Sequence, residues 1–152
     1  MLFRSYSVIL DESIPPCSIQ IKTLIWRVND EDGSFQHIFA TATRMTDYVD
    51  EKRLMGIISS KYSFNVEIKN KLKLSLAEKE VAEQITGLKS GSISPIFYAT
   101  QEKIDIFFDR NILDDTQSLT QFVSVGSGMP GHSLHLSWET LLRAAQIGRA
   151  HV

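Results

Sequence analysis

Residues 19–28, Ile-Gln-Ile-Lys-Thr-Leu-Ile-Trp-Arg-Val, limit the folds open to this chain more than any other stretch. At a two-residue period, Ile19, Ile21, Thr23 and Ile25 fall on one side. Lys22, Leu24, Trp26 and Val28 fall on the other. A strand with one wet face keeps polar residues there; this one is apolar on both. It predicts a central strand covered from both sides. Lys22 is the exception on its face. Either it runs to solvent from near the strand end, or its ammonium sits in a pocket and meets an anion or an ester oxygen.

The other elements follow from shorter signals. A polar turn at residues 29–33 and a strand at 35–43 make a hairpin, with His37 alone on it, the pattern of a structural histidine. Residues 46–60 predict a helix, capped by Asp47 or Asp50, with Val49, Leu54, Ile57 and Ile58 as its apolar stripe. Residues 61–71 form a polar connection, and Lys69, Lys71 and Lys73 a local patch of solvated charge. A short strand is expected at 72–74. Ser75-Leu76-Ala77-Glu78 has capping-box spacing and predicts a helix to Thr86, with Ala77, Val81 and Ile85 on one face and Gly87 just past its end.

At the front, residues 7–14 predict a short helix stopped by Pro15-Pro16, and Cys17 reads as a small, partly buried side chain. Strands are expected at 104–109, 120–125 and 133–136. Asp109 caps a turn at 111–114, and Ser137 caps a last helix from Trp138 to Ala145. Most connections between strands are too short for helical crossovers. The expected class is therefore α+β: a mixed, mainly antiparallel sheet with helices packed against it. A chain of 152 residues suits one domain and one core. That domain takes in residues 1–145; the last seven read like a translated sequencing adapter and are set apart as a tail.

A net charge of −2 excludes the broad basic stripe that holds DNA or long RNA, though not contact with a short nucleic-acid end. One cysteine excludes an internal disulfide and fits a reducing compartment. No apolar run is long enough to span a bilayer, and the start lacks the apolar core of a secretory signal, so the expected location is by default the cytoplasm, with an organelle as the alternative.

Two loops of small residues carry what chemistry the chain offers. The first is Gly87-Leu88-Lys89-Ser90-Gly91-Ser92-Ile93-Ser94-Pro95; the second is Gly126-Ser127-Gly128-Met129-Pro130-Gly131-His132. Nothing in the first is a strong acid or base. Any chemistry there runs through amide dipoles aimed at a substrate oxygen; the alternative is a helix end and an ordinary turn into a strand after Pro95. Nucleotide-binding glycine motifs, CxxC, HExxH and GxSxG are all missing. His132 and His135 are three apart on a strand, so they face opposite ways and share no metal. No metal and no cofactor are expected.

These features occur in a fixed order: Lys22-Thr23-Leu24 on a strand, Thr86-Gly87 and Gly91-Ser92-Ile93-Ser94-Pro95 after a helix, Asp109 after a strand, and a glycine loop ending Gly131-His132. That order resembles the YbaK and prolyl-tRNA-synthetase-associated editing family, which hydrolyses mischarged aminoacyl-tRNA, and the likeness runs from about residue 14 to 145. Three departures stand out: Ser92 where many members have a second glycine, a shorter segment before Lys22, and a longer connection from Thr43 to Lys71. The resemblance implies a trans-editing deacylase, of the type acting on tRNA for proline. Lys22, Gly91 and Ser92 would be catalytic. Ile93, Ser94, Pro95, Asp109, Gly126, Ser127, Gly128, Gly131 and His132 would bind substrate. Asp109 would hold the substrate amino group or only cap its turn. The implied partners are the acceptor end of aminoacyl-tRNA and an aminoacyl-tRNA synthetase. The alternatives are a non-catalytic module of the same fold that binds tRNA ends or a synthetase, and a small domain with an unrelated ligand.

Overall fold

The computed structural model describes residues 6–31, 33, 35–62, 72–96, 104–115 and 121–146. The long apolar strand is β2, Ile19–Asn29, and β3, Gln36–Arg44, pairs antiparallel with it from Ile21↔Arg44 to Asn29↔Gln36. The two faces of β2 feed two cores. Ile21 and Ile25 pack with Ala40, Ala42, Ile106, Val123, Leu136 and Trp138. Trp26 and Val28 pack with Phe39, Leu54, Ile58 and Phe107. A strand buried on both sides needs its polar atoms partnered, and the Trp26 indole N–H donates to Thr41 Oγ1 at 2.8 Å.

Five more strands surround this hairpin: β1 (Tyr6–Leu10), β4 (Lys73–Leu76), β5 (Ile106–Phe108), β6 (Phe122–Gly126) and β7 (His132–Ser137). The sheet runs β1-β7-β6-β2-β3-β5, with β4 on β2. β2–β6 and β3–β5 are parallel; the other pairs are antiparallel. Among the described residues there are four α-helices: α1 (Glu51–Tyr62), α2 (Lys79–Thr86), α3 (Arg110–Asp115) and α4 (Trp138–Gln146). α1 covers the Trp26 face through Leu54 and Ile58. α2, α3 and α4 cover the Ile21 face through Ala82, Ile112, Trp138 and Leu141. The architecture is the mixed α+β one expected.

Several local expectations are overturned by pairing. Residues 7–14 are not a helix: β1 pairs with β7 from Tyr6↔Leu136 to Leu10↔His132, and a 3-10 turn, Asp11–Ser13, follows. Ser75 does not cap a helix, because it lies within β4 opposite Arg27. α2 starts at Lys79, after Glu78 in extended conformation with no side-chain cap, and buries Ala82 and Thr86. Glu78 turns to Arg27 instead, at 3.3 Å. α1 begins at Glu51, later than expected. Asp50 caps it through the Arg53 N–H at 3.1 Å, while Asp47 binds Arg44 at 2.7 Å. Ile57 leaves the predicted stripe and is exposed. Cys17 is exposed rather than partly buried. Lys69, Lys71 and the stretch from Phe97 lie outside the described residues. The caps at Asp109 and Ser137 are present: Asn111 N–H donates to Asp109 Oδ1 at 2.9 Å and Thr140 N–H to Ser137 Oγ at 3.1 Å.

Trp138 opens α4, is fully buried and meets Phe108 edge to face at 5.6 Å. Trp138→Ala should lower unfolding free energy by about 3–5 kcal/mol, read by urea denaturation. His37 sits 4.2 Å from the Tyr62 ring, and Tyr62 donates to Asp105. Burial holds the imidazole below its usual 6.5, with the Asp105 charge pulling the other way. As pH falls, the unfolded chain takes up this proton before the folded one. The stability contributed is whole above 6.5 and declines as pH drops below it. Denaturation of His37→Gln between about pH 5 and pH 7 should show a shallower acid-side loss than the parent chain.

Candidate functional site

One edge of β2 is paired along its length to β3; the other is interrupted. On the second edge β6 pairs only as far as Gln20↔Ser124, and β4 begins at Trp26↔Leu76. The Ala77 N–H closes the gap from one side by donating to Ile25 O at 2.8 Å. In the gap lies a cavity of about 720 Å³. Residues 20–25 of β2 line it, together with residues 90–93, Gly126 and residues 130–133. Three segments far apart in the chain thus meet where one strand loses its neighbours.

Backbone contacts hold the first loop. α2 ends on Gly87 in the left-handed conformation, φ 74°, which a glycine enters without a Cβ clash. Buried Thr86 locks that end: its hydroxyl donates to Ala82 O at 2.8 Å and accepts the Leu88 N–H at 3.1 Å. Ser90 N–H donates to Glu83 Oε2 at 2.9 Å, and Ser92 N–H to Lys89 O at 3.0 Å. Ser92 O in turn accepts the Gly128 N–H at 2.6 Å, which joins the two loops. Gly126 makes this approach sterically feasible: a Cβ there would lie 2.8 Å from Ser92 O and closer still to Ile93 O. The second loop closes on itself through Ser127, whose hydroxyl donates to His132 O at 2.8 Å and accepts the Met129 N–H at 3.1 Å. The front turn is tied to it by Asp11 N–H to Gly131 O at 2.9 Å, and Ser133 Oγ donates to Asp11 Oδ1 at 2.7 Å.

Of the residues singled out from sequence, Lys22, Gly91, Ser92, Ile93, Gly126, Gly131 and His132 line the cavity. Ser94, Pro95, Asp109, Ser127 and Gly128 do not. Ser94 is buried and accepts the Ile96 N–H at 3.0 Å, a turn-forming contact. Asp109 caps α3. The Ser92 amide, a candidate oxyanion donor, is already spent on Lys89 O; the amides of Gly91 and Ile93 have no hydrogen-bond partner among the described residues. The Lys22 ammonium lies 5.4 Å from the centre of the Tyr48 ring. Beside it, hydrogen bonding from Arg44 holds the Asp47 carboxyl below its ordinary range, helped by Asn111 and by the charges of Arg44 and Lys22.

Two lining residues had been given no role. Thr23 is 9% exposed, and its hydroxyl has no partner among the described residues. A hydroxyl in the Ile21–Ile25 stripe was the signal. Asp11 brings the carboxylate that Asp109 does not; its position was hidden because the segment reads as helix. Among the described residues no group of three or more His, Cys, Asp or Glu side chains is arranged to hold a metal, and no helix is long and apolar enough to cross a membrane.

The site is thus an open edge of a central strand in a mixed sheet, walled by two glycine-bearing loops, with Lys22 among its lining residues. The chain belongs to the aminoacyl-tRNA editing domain family, whose model matches residues 12–144. No curated protein sequence matches it. Its fold is similar to the crystal structure of a proposed trans-editing enzyme for prolyl tRNA synthetase: TM-score 0.65, 14% identity, 97% of this chain and 84% of that one. It is also similar to the crystal structure of a hypothetical protein: TM-score 0.61, 17% identity, 96% of this chain and 88% of that one.

Gly126→Ala should destabilise the protein by about 1–3 kcal/mol, because backbone oxygens cannot move aside as a side chain could. Gly56→Ala is the control. Gly56 lies within α1, and a Cβ there meets nothing within 4 Å. That change should stabilise by about 0.5–1 kcal/mol in the same urea titration.

Proposed function

We propose that this chain is an aminoacyl-tRNA deacylase that hydrolyses the ester between an amino acid and the terminal ribose of mischarged tRNA. The observation that carries the reading is the meeting of Lys22 and residues 90–93 at one cavity, within a family of aminoacyl-tRNA editing domains. Water attacks the ester carbonyl carbon and a tetrahedral oxyanion forms. The ribose oxygen leaves with a proton, and the free amino acid departs. The Gly91 and Ile93 amides face the developing negative charge, each contributing about 3 kcal/mol. Lys22 holds the ester carbonyl or the terminal phosphate in place. Asp11 takes the α-ammonium, and the Thr23 hydroxyl meets the amino-acid side chain. The neighbouring ribose hydroxyl of the substrate orients the attacking water, so the protein positions groups and excludes bulk water. Acting in trans on tRNA for proline is the specificity favoured by the likeness to the proposed trans-editing enzyme.

A binding-only module is the second reading, and the engaged Ser92 amide favours it by leaving fewer donors for an oxyanion. Deacylation of tRNA for proline carrying alanine, cysteine or serine separates the two. Release of amino acid above the spontaneous rate is expected. Lys22→Ala should lower the rate about a hundredfold or more with the urea midpoint unchanged; full activity in that variant would remove Lys22 from the mechanism. Thr23→Val keeps the shape and removes the hydroxyl. It should narrow the preference between serine and alanine by about fivefold to tenfold, measured as the ratio of kcat/KM values.

A further inference from the structure

We infer that Tyr48, whose ring lies beside the cavity-lining Lys22, is the platform on which the terminal adenine of the RNA acceptor end stacks. The inference rests on the deacylase reading for the identity of the substrate.

Tyr48 is 94% exposed, whereas the next most exposed large apolar side chain among the described residues, Ile57, is 53% exposed. An aromatic ring so fully in water usually belongs to a mobile tip. This one does not. On one side Asp47 is held by Arg44 at 2.7 and 3.0 Å and by Asn111 Nδ2 at 3.4 Å. On the other side Val49 packs against the second core and Asp50 caps α1. The backbone is pinned on both sides of a residue whose ring has nothing to bury it.

The ring's position points to its ligand. The Lys22 ammonium sits 5.4 Å from the ring centre, and Lys22 lines the cavity. Met45, on the same connection between β3 and α1, also lines the cavity and is half-exposed. The connection thus runs from the cavity wall outward to Tyr48. If the ester is cleaved inside, the base on the same ribose lies one sugar away from the reacting carbon, and a ring next to Lys22 is placed to receive it. A planar, electron-rich ring steadied by a neighbouring cation is the surface on which a nucleobase stacks without sequence-specific hydrogen bonds.

The test titrates the full chain with an uncharged RNA hairpin ending in CCA and with the same hairpin lacking the last base, read by fluorescence anisotropy. Tyr48→Ala should weaken binding of the CCA hairpin about tenfold or more, and Tyr48→Trp should retain it. The parent chain should lose the same factor on the abasic hairpin, where Tyr48→Ala brings no further loss. Equal binding of the CCA hairpin by Tyr48→Ala and the parent overturns the inference, as does an equal loss on both hairpins. A parent chain that shows this pattern yet leaves charged tRNA intact supports the platform and overturns the deacylase reading. A parent chain that binds neither hairpin overturns the platform.

Discussion

Everything at the site depends on an unpaired stretch of β2. A central strand normally satisfies both edges with neighbours, because a buried unpaired amide or carbonyl costs about as much as a lost hydrogen bond. Here β6 pairs only to Gln20, β4 takes over at Trp26, and residues 20–25 line a cavity between them. The other edge stays paired to β3 from Ile21 to Asn29, and both faces are covered by core. The strand is therefore held by pairing on one edge and by core on both faces, while part of the other edge opens on the cavity. A binding site on such a strand is more precisely placed than one on loops alone.

The loops that line the cavity meet each other through backbone, while Ile93, Ile96 and Leu88 anchor the first of them in the core. Ser92 O accepts from Gly128, and Gly126 lets the carbonyls of Ser92 and Ile93 come closer than any Cβ would permit. Small residues are needed here for contact distance as much as for conformational freedom. The same economy explains why the Ser92 amide is not available to a substrate. It closes the turn onto Lys89, whereas the amides of Gly91 and Ile93 have no hydrogen-bond partner among the described residues.

The chemistry this arrangement supports is electrostatic. The cavity is lined by Lys22 with its ammonium, by Asp11, whose carboxylate accepts the Ser133 hydroxyl at 2.7 Å, and by Thr23, whose hydroxyl has no partner among the described residues. In the deacylase reading proposed above, these groups orient an ester and stabilise charge while water attacks. Lys22 lines the cavity and its ammonium lies 5.4 Å from the centre of the exposed Tyr48 ring, so one residue borders both.

Sequence alone was enough for the two-faced central strand, because alternation at a period of two is a local property that Ile19 to Val28 display in full. It was also enough for the glycine-ended α2, the Asp109 and Ser137 caps, and the ordered motifs that mark the family. It misjudged the front segment and the capping box, where pairing with β7 and with β2 outweighs local helix signals. The resemblance picked out Lys22, Gly91, Ser92, Ile93, Gly126, Gly131 and His132, which line the cavity, but that Asp11 and Thr23 join them and Asp109 does not was decided by tertiary structure. Gly126 and Ile93 are 33 positions apart in the numbering yet in backbone contact, and Asp11 reaches Gly131 only because β1 pairs with β7. Propensity sees a few neighbours along the chain, whereas a site assembled across a sheet depends on where strands stop pairing.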